Sequence, residues 1–174
     1  MRKMILSLLA LSMFAASCSE ESATDFNATE TSSKSSLTAR GAVWDGEIGV
    51  DVGGVYKITA DQEALKADLD AIWKREGKNT SVQTLEIVKL TASDNPADSG
   101  FMLVGTDAAR TSIGVWLVRS NNSFLNDDSF QVSTSCEGCA QGCNLTYLTL
   151  NGKKVAFCNE NGCTYDCTKT ESSR

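Results

Sequence analysis

Six of the seven cysteines fall between positions 136 and 167, as Cys136-x2-Cys139-x3-Cys143 followed by Cys158-x4-Cys163-x3-Cys167. No other feature constrains the fold as much, because cross-linking so short a stretch removes most of its conformations. The gap between the two clusters reads Leu145 to Leu150, then Asn151-Gly152, then Lys153 to Phe157. Asn-Gly between alternating runs is a strong hairpin signal, since a type I′ turn needs positive φ at both central residues. In that register Leu150 faces Lys153, Leu148 faces Val155 and Thr146 faces Phe157. Leu148, Leu150, Val155 and Phe157 then share one face, available for packing on a sheet or for a ligand.

The seventh cysteine, Cys18, has a different setting. Arg2 and Lys3 precede an apolar run from Met4 to Ala16, of secretory length and too short for a stable membrane span. The run ends Ala15-Ala16-Ser17-Cys18 and resembles the lipobox of bacterial lipoproteins. That resemblance implies acylation of the Cys18 thiol, cleavage before it and acylation of the new amino terminus. Ala15 departs from the commoner Leu or Val. The relaxed pattern is similar to that of Bacteroidota, and Ser19-Glu20-Glu21 resembles the acidic surface-export signal of lipoproteins in that group. The resemblance covers only about the first 21 residues; it implies a lipid-anchored outer-membrane protein, possible exposure at the cell surface, and no task.

With Cys18 assigned to lipid, the other six can pair completely, and an exported chain meets an oxidising compartment. Disulfides are therefore expected among Cys136, Cys139, Cys143, Cys158, Cys163 and Cys167, with 15 pairings open. Zinc ligation and a redox-active Cys136/Cys139 pair are the alternatives. The Cys-x2-Cys spacing is not repeated as in zinc fingers, and Glu137-Gly138 reads as a turn rather than a helix start.

The chain carries 16 Lys plus Arg against 22 Asp plus Glu and no histidine. An acidic domain lacks the basic field that nucleic-acid binding needs. The absence of histidine excludes Ser-His-Asp and Cys-His catalysis and the HExxH zinc site. No cofactor and no resident metal is called for. Asp45, Glu47 and Asp51 form one group of carboxylates and Asp94, Asn95 and Asp98 another, but neither matches a calcium loop. Carboxylate pairs for glycoside hydrolysis are expected by chance among so many acids.

The length and the 41% hydrophobic content suit one compact domain. Residues 1–17 read as signal peptide and 18–40 as the lipidated cysteine with a flexible Ser/Thr-rich tether. Residues 41–133 read as an α+β domain, and 134–174 as a cysteine-rich hairpin module packed on or beside it. Short alternating groups from Val43 to Ile58 predict strands. Thr59 with Gln62 predicts a capping box, and Leu65, Leu69, Ile72 and Trp73 predict one amphipathic helix ending near Gly77. Runs at Val82–Leu90, Phe101–Gly105, Ile113–Val118 and Phe130–Ser133 predict further strands, with 121–128 as a polar loop. The expected fold class is α+β: one helix on an antiparallel sheet, followed by a disulfide-stapled hairpin. The element order resembles cystatin-like and other small α+β binding folds without matching a residue motif of theirs.

The functional expectation is an extracytoplasmic binding or interaction protein with a protein or glycan partner, contacting it through Tyr147, Asn151, Lys153 and Lys154 and reaching the membrane through its lipid. An envelope enzyme or thiol-redox protein, and a structural envelope component, are the competing expectations.

Overall fold

In the computed structural model, which describes residues 43–139, 142–160 and 167–174, the chain starts with a hairpin. β1 (Glu47–Val52) and β2 (Val55–Ile58) are joined by Gly53-Gly54, both at positive φ. The signal peptide, Cys18, the tether and Cys163 lie outside the described residues.

The helix α1 spans Gln62–Arg75 and buries Leu65, Leu69, Ile72 and Trp73, the stripe its periodicity predicts. Its N-cap differs from expectation. Asp61 accepts from Glu63 N at 3.0 Å and Ala64 N at 3.1 Å, while Thr59 donates its hydroxyl to Glu47 at 3.0 Å. A carboxylate at the N-cap meets both the orphan amides and the positive end of the helix dipole. Glu76 and then Gly77, at φ 78°, end the helix.

Every later element is a strand: β3 (Thr84–Thr91), β4 (Ser99–Thr106), β5 (Ser112–Ser120), β6 (Ser123–Asn126), β7 (Val132–Glu137), β8 (Asn144–Leu150), β9 (Lys153–Asn159) and β10 (Thr168–Ser173). The expected α+β class is therefore overturned. The protein is mainly β, with a single helix among the described residues, and its principal sheet is antiparallel and nearly closed. The reason lies in β5, which pairs with β4 on one side from Ser112 to Leu117 and forks on the other. Ser112 to Val115 pair with β7, and Leu117 to Ser120 pair with β6. At the fork, Trp116 O accepts from Asp127 N at 3.1 Å. One branch continues through β6 and β1 to β2, which curls back beside β3 without pairing with it; the other continues through β7 to β10. The polar stretches holding β6 and β10 thus become strands because the sheet supplies partners, not because their own pattern demands it.

The sheet is covered on both faces, which is why β4 and β5 read as continuous apolar runs. Leu103, Ile113, Val115 and Leu117 point inward to α1, joining Ile48, Leu65, Ile87, Phe124 and Trp73. Met102, Val104 and Trp116 point outward, where the β8–β9 hairpin lies on them through Leu145, Tyr147 and Ala156. Gly114 permits this close approach: a Cβ there would stand 2.6 Å from Met102 Cε and 2.8 Å from Leu145 Cδ1. Between described residues, two disulfides hold the layers together, Cys136–Cys158 from β7 to β9 and Cys143–Cys167 from just before β8 to just before β10. The described residues fall in one compact unit, and no helix among them is long and apolar enough to cross a membrane.

Candidate functional site

The hairpin has the register read from Asn-Gly, with Leu150 against Lys153, Leu148 against Val155 and Thr146 against Phe157. Asn151 at φ 52° and Gly152 at φ 75° make the turn. The faces are distributed otherwise than the apolar stripe suggests. Leu145, Tyr147 and Ala156 are buried against the sheet. Leu148, Val155 and Phe157 are half-buried and Leu150 is 56% exposed. The inner face carries Cys143 and Cys158, so the disulfides dictate which side turns inward.

This separates the four residues expected to contact a partner. Asn151 and Lys153 are exposed at the tip. Tyr147 is fully buried and has to be withdrawn from any contact surface. Lys154 lies between layers, its Nζ 5.5 Å from the Trp116 ring centroid and 5.2 Å from that of Tyr147, donating to Ser99 O at 3.1 Å. The β3–β4 connection grips the same end of the hairpin. Ser93 N donates to Tyr147 O at 2.8 Å, Thr149 N to the Asp94 carboxylate at 3.1 Å and Thr149 Oγ1 to Asp98 at 2.7 Å. The Thr149 hydrogen bond holds the Asp98 carboxyl below its usual range, with help from Lys154 and against partial desolvation. Burial pushes the Tyr147 phenol up to about 12, and the Asp98 charge adds to the shift. The phenol oxygen is buried beside the Asp98 carboxylate and, among the described residues, meets no partner at full hydrogen-bonding geometry.

The cysteines decide between the alternatives of the sequence. Cys136 is bonded to Cys158, so Cys136 and Cys139 are not a redox dithiol pair, and Cys139 is itself in a disulfide. Sulfurs spent in disulfides are not zinc ligands. The carboxylate groups are engaged as well: Glu47 accepts from Thr59 and Ser123, and Asp51 pairs with Arg119 at 2.8 Å. Among the described residues no three His, Cys, Asp or Glu side chains come together to hold a metal.

Sequence reasoning missed a concave region on the outer face of the sheet. The hairpin covers β5 and part of β4 but only partly covers the outer side of β3, where Val88 and Leu90 stay half-buried, and a groove of about 510 Å³ runs beside it. Its floor is Val88, Leu90 and Val104, its wall is Gly142 to Leu145, and Thr84, Thr106, Ser112, Glu86 and Arg110 line its polar end. A second cleft of about 500 Å³ begins on the other side of Arg110, along 108–111 and 137–139. Arg110 stands between them at φ 63°, a conformation costly for a residue with a Cβ. Asp107 helps hold that turn, accepting from Thr111 N at 2.7 Å and Thr80 Oγ1 at 2.7 Å. One signal pointed here: Gly100 and Gly114 fall on the same outward side of β4 and β5, as close approach of another layer requires.

No protein-family model, curated protein or solved structure matches this chain.

Proposed function

We propose that this is a lipid-anchored extracytoplasmic binding protein, held to the outer membrane through Cys18 and taking its ligand in the groove between β3 and the disulfide-held hairpin. The groove is the observation that carries the reading. It has an apolar floor with polar groups gathered at one end, and its size is within the usual range for ligand sites. Its walls are a central sheet and a cross-linked hairpin, so little order has to be created on binding. Envelope catalysis has less support, because without histidine a general base near neutral pH has to be a carboxylate, lysine or thiol with a strongly displaced pKa.

Amide chemical-shift mapping against a mixed panel of short peptides, oligosaccharides and amphiphiles tests the binding site. Shifts should converge on Val88, Leu90, Val104 and Leu145. Shifts scattered over the surface, or turnover of a panel compound abolished by one carboxylate substitution, would remove the reading. The anchor is tested separately by Cys18→Ala, which should move the protein from the membrane to the soluble fraction and delete the acyl mass.

A further inference from the structure

We infer that the ligand of this groove is a short peptide in extended conformation, docking as a third strand on the free edge of β8. This rests on the groove being the binding site. Leu150 and Lys153 flank a two-residue turn, so they form a hydrogen-bonded pair, and the pairs alternate from there along the hairpin. Leu145, Tyr147 and Thr149 consequently direct their N–H and C=O groups away from β9. Two of the three have been used by the protein itself: Ser93 N reaches Tyr147 O, and Asp94 receives Thr149 N. The segment after β3 thus occupies the far half of this edge much as a strand would. Leu145 is left at the near half, beside the groove, and no described residue pairs with its backbone groups.

An extended peptide continues the interface that Ser93 begins. Its main chain would satisfy the Leu145 N–H and C=O, and every second side chain would descend onto Val88, Leu90 and Val104. From Thr84 to Leu90 the floor extends roughly 20 Å, room for about six residues in strand geometry. A purely apolar molecule leaves the Leu145 amide and carbonyl unmet, which is costly where water is displaced. Among the described residues no aromatic ring lines the groove for a sugar to stack on.

The test is fluorescence anisotropy of the full chain with a labelled hexapeptide of alternating valine and threonine. Saturable binding is expected, lost in Val88→Glu. N-methylation of one alternate set of peptide amides should weaken binding about fivefold, the worth of one hydrogen bond near 1 kcal/mol, and methylation of the other set should not. Equal tolerance of both sets overturns strand pairing. Should octanoate occupy the groove in a Val88→Glu-sensitive manner while the peptide does not bind, the peptide inference falls and the binding site stands. If neither probe responds to Val88→Glu, both fall.

Discussion

The ammonium of Lys154 stands over two rings at once, 5.5 Å from the centroid of Trp116 in β5 and 5.2 Å from that of Tyr147 in β8. The two rings meet edge to face with centroids 5.2 Å apart. One cation therefore ties the hairpin to the sheet, while Lys153, its neighbour, is in solvent.

These adjacent lysines should behave differently. Lys154→Gln removes the cation–π contacts and the bond to Ser99 O, and should cost about 1 kcal/mol. Lys153→Gln should leave stability unchanged to within about 0.5 kcal/mol. Urea unfolding followed by tryptophan fluorescence distinguishes them, and equal effects would remove the bridging role of Lys154.

Both disulfides join the hairpin to the sheet at its open end, opposite the Asn151-Gly152 turn. Proteolysis without reduction should release linked peptides containing Cys136 with Cys158 and Cys143 with Cys167; a Cys136–Cys139 link would contradict the fold. Replacing Cys136 and Cys158 together by alanine should cost about 2–4 kcal/mol.

Gly114 sits where the hairpin comes closest to the sheet. Gly114→Val raises strand propensity but drives its side chain into Met102 and Leu145. Overpacking should prevail, at about 1–3 kcal/mol of destabilisation. Gly46→Ala meets nothing within 4 Å and serves as the control. A Gly114→Val protein as stable as the parent would contradict this packing.

Alkaline pH should weaken the hairpin contact through Tyr147. Its folded pKa of about 12 exceeds the unfolded value near 10, so above pH 10 the unfolded chain releases a proton that the folded chain retains. Stability should therefore fall between about pH 10 and 12, and the fall should diminish in Tyr147→Phe. Absorbance at 295 nm should show a late phenol transition that the same substitution deletes.

The chain's own pattern determined what depends on neighbours in sequence. Helix α1 was legible because Leu65, Leu69, Ile72 and Trp73 follow the helical period. The hairpin register was legible because Asn151-Gly152 admits few turns. Even the inward side of the hairpin had a local signal, unused: in the Asn-Gly register Cys143 and Cys158 fall on the face of Tyr147, not on that of Leu148. Tertiary structure decided what depends on distant partners. The fork in β5 turned the polar segments Ser123–Asn126 and Thr168–Ser173 into strands and curled the sheet almost closed around the helix. The pairing of Cys136 with Cys158, rather than with Cys139 three residues on, followed from placing β9 beside β7. The groove arose because a two-stranded layer is too narrow to cover all of the outer face of β3, a fact about the width of two packed layers that no run of residues contains.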